Sequence, residues 1–240
     1  MTNVSCRLFQ SGCSRPLKTL IAGLIMSSFV LVILASNASG QAPTPPRSAT
    51  QFWTEQSFAA PVNKHVDIVL LGYLHLGRKS ERPVAEHAAT GLGVSFKVGK
   101  YLTVFPFYTH FENQPAVVSR NKEERLTIEA TLKFPLGRMT LSDRNRFEYR
   151  WRTPPLNFIH YRNRMQLEHP LNVWKLNGFV ADEVFYDTHF DAWIRNRIYA
   201  GVSKKVNEHF TFDLYYMRQS DDHSRPGDLN VIGNTLKFRL

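Results

Sequence analysis

Cysteine is nearly absent from this sequence. The 240 residues include two cysteines, Cys6 and Cys13, both near the amino terminus. The rest of the chain can therefore hold no disulfide framework, no thiolate nucleophile and no cysteine metal site. A Gly-x-Ser-x-Gly nucleophile motif, a Gly-rich phosphate loop and Cys/His zinc spacing are also missing. We expect no catalytic residue, no metal and no cofactor, and we expect that the chain is not an enzyme.

Acidic residues are missing from residues 1–40, which resemble an export signal. Three basic residues, Arg7, Arg15 and Lys18, precede the uncharged apolar run Leu20–Ala35. That run has 16 residues, fewer than the ~20 that a membrane-spanning helix needs. Small residues follow it, which predicts a secretory signal peptide over 1–40, cleaved after Ala38 or Gly40. An uncleaved membrane helix is the alternative.

The chain is basic overall, with a net charge of +10. Removing the three basic residues of 1–40 leaves +7, because 10 − 3 = 7. A basic excess can indicate nucleic-acid binding. Here the predicted export and the spacing of basic residues at alternate positions argue against it, so we expect no nucleic-acid partner.

Helical periodicity is also lacking after the signal segment. Residues 41–51 form a Pro-rich tether. From residue 52 to 240 the pattern is a series of alternating apolar and polar segments separated by turn residues, which predicts β-strands. Eleven segments fit this pattern. Bacterial single-chain barrels normally have an even number of strands, so we expect ten or twelve.

The segment Leu141–Pro170 shows that the predicted sheet has one charged face and one apolar face. It contains two strands joined by a Pro-Pro loop, and in each strand charged residues occupy every second position. The intervening positions are apolar or aromatic, as with Phe147, Tyr149 and Trp151. In a soluble sandwich the apolar face would be the core. In an outer-membrane barrel the apolar face meets lipid and the charged face lines the lumen.

Two features favour the outer-membrane barrel. Predicted connections alternate between tight turns, such as Gly99-Lys100, and longer polar loops, such as Gly77–Glu86 and Glu112–Asn121. The last residues alternate apolar and polar in the manner of the carboxy-terminal signal that outer-membrane assembly machinery reads. That predicted assembly signal comprises Gly233, Leu236, Phe238 and Leu240. A soluble periplasmic barrel is the alternative location.

Several motifs resemble the bacterial family named domain of unknown function 2490, whose members are outer-membrane barrels. They are Trp53, the turn at Asn63-Lys64, RNRFEYRWR with YRNRMQLE, Asp182-Glu183 with Phe185, RNRIYAGVSKKVNEHFTFDLYYMRQ and the closing NVIGNTLKFRL. The resemblance covers Phe52–Leu240. It implies an all-β antiparallel transmembrane up-and-down barrel in a Gram-negative outer membrane, with lipid and the assembly machinery as partners. It implies no activity.

Charged rows from four consecutive strands would meet inside such a barrel. The candidate lumen residues are Arg144, Arg146, Arg150, Arg152, Arg162, Arg164, Arg195, Arg197, Glu148, Glu168 and Glu183. Eight arginines against three glutamates leave a surplus of positive charge, and Arg groups select anions in pores. This predicts a narrow, porin-like channel or a binding barrel for small anionic solutes.

Two other functions remain open from the sequence. The rows could be a structural set of salt bridges that plugs the lumen of a structural or assembly-related membrane protein. A lipid-modifying outer-membrane enzyme is the third reading. Trp53, Trp151, Trp174 and Trp193 lie near predicted strand or turn ends, where an aromatic girdle would place them, although each could instead pack in a core.

Overall fold

The computed structural model of the chain describes residues 47–79, 82–113, 121–153, 156–224 and 226–240, without the side chains of Arg78, Lys79, Arg82, Pro83, Asn113 and Asn121. The predicted signal peptide and most of the predicted tether lie outside these residues. None of the described residues forms a helix long and apolar enough to cross a membrane.

Eleven strands close into one barrel. They are β1 Ser48–Pro61, β2 Val66–Lys79, β3 Arg82–Val98, β4 Leu102–Asn113, β5 Asn121–Leu136, β6 Met139–Thr153, β7 Leu156–Pro170, β8 Asn177–Asp187, β9 Ala192–Lys205, β10 Phe210–Asp221 and β11 Asp228–Arg239. Each strand from β1 to β11 pairs antiparallel with the next strand in the chain. The predicted all-β barrel is confirmed, and its strand number lies between the ten and the twelve that the sequence suggested.

The strand number is odd, which was not expected. Successive strands alternate in direction, so the first and last of eleven run the same way, and β1 closes the barrel by pairing parallel with β11 from Ser48↔Asp228 to Ala59↔Arg239. The first strand also begins at Ser48, four residues before the predicted barrel start, so Ser48–Gln51 belong to the barrel and not to the tether. We call the end where β1 and β11 begin the amino-terminal end, and the other end the carboxy-terminal end.

The predicted contrast between tight turns and long loops is weaker in the structure than in the sequence. Much of the expected loop Gly77–Glu86 belongs to β2 and β3, and β4 and β5 extend to Asn113 and Asn121. At the carboxy-terminal end, Gly99 and Gly137 adopt φ values of 67° and 61°. Glycine reaches this left-handed region without a Cβ penalty, so it suits these tight turns.

The outward surface of the barrel is largely apolar, and the charged rows point inward. Exposed apolar side chains on nearly every strand form the outer wall; they include Phe52, Leu70, Leu92, Tyr108, Ile128, Phe147, Ile159, Val180, Ile198, Leu214 and Ile232. Strand alternation therefore divides the residues as the membrane-barrel interpretation requires.

A few polar side chains interrupt the outer wall, and they bond to one another. Asp143 accepts hydrogen bonds from Asn163 (2.7 Å) and Asn145 (3.1 Å). On the neighbouring strands Asn196 donates to Asp182 at 2.6 Å. Pairing limits the cost of exposing polar groups to an apolar surrounding.

The predicted assembly signal lies on the closing strand. Gly233 faces inward beneath the Tyr215 ring, where an added Cβ would come within 2.3 Å of Tyr215 Cζ. Phe238 stacks outside between Phe58 and Phe210, with ring centroids 4.8 Å from each. Leu236 lies on β11, and Leu240 continues past it by donating its N–H to the Ala59 carbonyl at 3.0 Å. The glycine is therefore required by packing, and the role of these residues in assembly stays a prediction.

Candidate functional site

An ion-pair network fills one side of the lumen. It is built on β5–β8, where strand alternation aims Glu123, Arg125 and Glu129 of β5 at the inward row of β6. Glu123 contacts Arg125 (2.5 Å), Arg152 (2.6 Å) and Arg150 (3.5 Å). One carboxylate thus holds three guanidinium groups.

The next two carboxylates lie deeper in the same network. Glu129 contacts Arg146 at 2.5 Å and Arg144 at 3.8 Å. Glu148 contacts Arg162 at 2.9 Å and Arg146 at 3.6 Å, and it also pairs with Arg150. Arginines therefore bridge from one glutamate to the next along the barrel.

Glu183 on β8 completes the network and is fully buried, with 0% of its surface exposed. Its Oε1 accepts from Arg144 and Arg162, both at 2.8 Å. Its Oε2 accepts from the Tyr199 hydroxyl at 2.8 Å. Arg144 on β6 reaches Glu183 across the intervening β7, so the contact spans part of the lumen.

Arg164 and Arg197 face the lumen but take no part in these arginine–glutamate ion pairs. Within the described part of the chain neither has an ion-pair contact to a carboxylate. Arg164 donates to Gln166 (2.9 Å) and Arg197 to Gln219 (2.8 Å), both neutral amides. The Nε atom of Arg164 is buried and has no hydrogen-bond partner.

Aromatic rings lie against these two guanidinium groups. Arg164 lies 4.1 Å from the Tyr199 ring centroid, and Arg197 lies 4.7 Å and 4.9 Å from those of Phe185 and Trp53. Both arginines are also near enough to Glu183 and Tyr199 to interact with them electrostatically. The rings cover the flat faces of the guanidinium groups and not their N–H edges. These edges are the groups that bind carboxylate or phosphate.

The other side of the lumen is apolar. On β8–β11 and β1 it is packed with Trp53, Phe179, Ala181, Tyr199, Tyr215, Met217, Leu229 and Val231. Met217 and Val231 are completely buried. Contacts also cross the barrel: Arg146 on β6 reaches Phe107 on β4, and Arg197 on β9 reaches Trp53 on β1. At this depth side chains fill the lumen.

The structure brings most of the predicted residues together and separates two of them. Arg195 leaves the network and pairs with Asp221 at 2.5 Å. Glu168 lies nearer the carboxy-terminal end, where it accepts from Gln166 at 2.7 Å. No arginine contacts Glu168 within the described residues, so the expectation that it balances the basic wall is wrong. Its distance along β7 from the paired rows is the physical reason.

Sequence reasoning missed Glu123, Glu129 and Arg125. The alternating pattern predicts a strand over Glu124–Phe134 with Arg125 and Glu129 on its polar face, but it does not show that this face meets the Arg rows. Glu123 lies outside that predicted strand, because β5 begins earlier, at Asn121. With these residues counted, six arginines share four glutamates: Arg125, Arg144, Arg146, Arg150, Arg152 and Arg162 against Glu123, Glu129, Glu148 and Glu183. Arg164 and Arg197, which bond to neutral amides, bring the arginines to eight. The surplus is four positive charges (8 − 4).

One tryptophan differs from the expected girdle, and the face of a second departs from simple strand alternation. Trp53 is buried in the lumen, where it stacks on His75 with ring centroids 3.9 Å apart. Trp193 is exposed on the outside, although strict alternation along β9 would put it on the same face as Arg195. A register shift between Phe185 and Tyr186 inserts Ile194 as an extra residue on β9 and changes the alternation there.

Residues 50–230 match the family described as "Protein of unknown function (DUF2490)". The chain belongs to this family. The predicted membership of domain of unknown function 2490 is therefore confirmed. No curated protein matches the chain in sequence.

A solved structure shares the fold. LpxR from Salmonella typhimurium aligns with a TM-score of 0.50 and 9% sequence identity, over 77% of this chain and 87% of that one. At this identity the likeness shows the fold alone. The DUF2490 chain is thus a β-barrel that resembles an outer-membrane protein. No group of three or more His, Cys, Asp or Glu that could hold a metal ion occurs among the described residues.

Proposed function

We propose that this DUF2490 protein is an outer-membrane barrel that binds a small anion in its lumen, at Arg164 and Arg197. The observation that carries the proposal is the absence, within the described residues, of a carboxylate partner for either arginine. Both side chains are partly buried, and a partly buried charge with no carboxylate in contact is costly. A bound carboxylate, sulfate or phosphate would supply the missing counter-charge and accept from the unpartnered Arg164 Nε.

Binding is favoured over permeation because the lumen is filled. Glu183, Met217 and Val231 have no exposed surface, and Phe185 has 1%. An open pore would leave inward side chains in contact with water. The proposed location is the outer membrane, reached with a cleaved signal peptide over 1–40 and with the barrel assembly machinery and lipid as partners. We further propose that the protein binds its anion without catalysing a reaction.

The test is calorimetric titration of the refolded, detergent-solubilised barrel with sulfate and with acetate. Wild type is expected to bind at least one of them saturably. The double variant Arg164→Gln/Arg197→Gln is expected to bind about tenfold or more weakly, since a hydrogen bond to a charged group contributes about 1.5–3 kcal/mol.

Lys100→Gln is the control for loss of a positive charge away from the site, because Lys100 is exposed in the turn between β3 and β4. It should bind as wild type does. Migration that changes on boiling would show that each variant is folded. No saturable binding by wild type, or equal binding by the double variant, would remove the proposal.

A structural role is the second candidate, and the bridging arginines favour it. Arg162 holds both Glu148 and Glu183, and Arg146 holds both Glu129 and Glu148. If the network only fills the lumen, neither wild type nor the double variant Arg164→Gln/Arg197→Gln would bind an anion. The two substitutions would then change stability alone.

A further inference from the structure

The carboxy-terminal half of the lumen is less tightly filled than its middle. At mid-depth Glu183, Met217 and Val231 have no exposed surface. Towards the carboxy-terminal end, a set of inward polar side chains keeps part of its surface exposed; they are Glu55, Ser142, Arg164, Gln166, Ser203 and Thr235. We call the space that these six side chains line the carboxy-terminal vestibule. Because they are partly exposed, a small polar ligand can contact them without unfolding the barrel.

One carboxylate in the carboxy-terminal vestibule has no partner. Glu55 points inward from β1, because strand alternation places it on the same face as the buried Trp53. Its neighbours across the strands are Tyr73 on β2 and Thr235 on β11. Its side chain forms no hydrogen bond and no ion pair with any described residue. The carboxylates of the ion-pair network differ from it, since each of them holds at least one arginine.

Arg164 borders the same vestibule and carries a positive charge that no carboxylate contacts within the described part of the chain. Its guanidinium group lies 4.1 Å from the Tyr199 ring centroid, and that centroid lies 5.7 Å from the centroid of the Tyr215 ring. Glu55 and Arg164 both lie within electrostatic range of the Tyr215 side chain. The two unpaired charges are therefore near the same tyrosine but do not contact each other.

The opposite signs of these charges define the ligand that would satisfy both side chains. The Arg164 guanidinium requires an anionic group, and a carboxylate matches its planar N–H edge. The Glu55 carboxylate accepts hydrogen bonds only, so it requires a cation with N–H donors, such as an ammonium group. A ligand with one of these groups would leave the other side chain without a counter-charge. A zwitterion supplies both groups.

We propose that the carboxy-terminal vestibule binds a small zwitterion that carries an ammonium group and a carboxylate, as amino acids do. Arg164 binds the carboxylate, Glu55 binds the ammonium group, and Tyr215 lies between them. The inference rests on the proposed anion binding at Arg164 and deepens it by naming a ligand class. Glu55 is the residue that selects a zwitterion over a plain anion.

The experiment is calorimetric titration of the full refolded barrel near neutral pH with matched pairs of ligands. Each amino acid is compared with the carboxylate that lacks its amino group: glycine with acetate, γ-aminobutyrate with butyrate, and ε-aminocaproate with caproate. The pairs cover a range of separations between the two charges. In wild type at least one amino acid is expected to bind about tenfold or more tightly than its matched carboxylate, as one hydrogen bond to a charged group provides.

Glu55→Gln gives a result that loss of folding cannot imitate. The variant keeps the shape of the side chain and removes its charge, so the affinity for the preferred amino acid should fall about tenfold. The matched carboxylate should bind at least as tightly as it binds wild type, because a negative charge near its site is gone. Arg164→Gln/Arg197→Gln should weaken both members of that pair.

Glu168→Gln is the matched control for this substitution. It makes the same chemical change to another inward carboxylate near the carboxy-terminal end, one that already accepts a hydrogen bond from Gln166. The preference for the amino acid should stay unchanged in this variant. Equal affinities within every pair in wild type, or an unchanged preference in Glu55→Gln, would overturn the inference.

The two proposals fail in different ways. If plain carboxylates and sulfate bind but no amino acid binds more tightly, the anion site stands and the zwitterion inference is wrong. If amino acids alone bind, and their binding depends on both Glu55 and Arg164, the zwitterion inference stands and the binding of simple anions is wrong. If none of these ligands binds, both proposals are wrong.

Discussion

Glu183→Gln should lower the free energy of unfolding by about 3–5 kcal/mol, the usual cost of removing one partner from a buried ion pair. Glu183 is fully buried and holds Arg144 and Arg162. Glutamine has nearly the same shape but no charge, so both guanidinium groups would stay buried beside a neutral amide. Urea unfolding of the refolded barrel, followed by tryptophan fluorescence, measures the change.

Glu168→Gln is the matched control for this prediction. The substitution is chemically identical and lies on the adjacent strand, but Glu168 bonds to Gln166 alone among the described side chains. Its effect should stay below about 1 kcal/mol, because Glu168 is only partly buried and its partner is a neutral amide. Equal effects of the two substitutions would show that Glu183 is not the centre of a buried network.

A disulfide should form almost completely between Thr54→Cys and Asn234→Cys. These residues lie opposite each other in the parallel β1–β11 pair, and their side chains are 2.9 Å apart from Thr54 Oγ1 to Asn234 Oδ1. The native Cys6 and Cys13 are changed to Ser in the same protein. Oxidation closes a long loop, which a non-reducing denaturing gel resolves as faster migration.

The register of β11 provides the control for the cross-link. Phe238 lies opposite Phe58, four residues along from Thr54, or about 13 Å at the rise of a strand. A disulfide requires Cα atoms within about 7 Å, so Thr54→Cys/Phe238→Cys should stay reduced. Failure of the Thr54–Asn234 pair to oxidise would indicate a barrel that closes without β1, as an even strand number requires.

The inward rows of β6 and β7 could be predicted because the period of a strand is two residues. Every arginine predicted on these strands faces the lumen, including Arg146 and Arg162. The face of β9 on which Trp193 lies could not be predicted, because the bulge next to it changes the alternation and has no signal in the sequence. The ion-pair partners of the arginines could not be predicted either, because they depend on the register between strands and on where β5 begins.

The strand count illustrates a different limit. The alternating pattern indicated eleven segments, and the structure has eleven. The general preference of bacterial single-chain barrels for an even number of strands does not hold for this chain. The inward position of Trp53 follows from the same closure, because β1 is a full strand whose odd-numbered residues face the lumen.

Conductance across a planar lipid bilayer tests the central claim, a charged lumen that is filled by side chains and binds anions without passing them. Folded, heat-modifiable protein is inserted and held at constant voltage in chloride and in phosphate. We expect no stepwise current in either salt, because Glu183, Phe185, Met217 and Val231 block the lumen at mid-depth. Stable anion-selective steps from the wild-type barrel would contradict the account and establish an open channel.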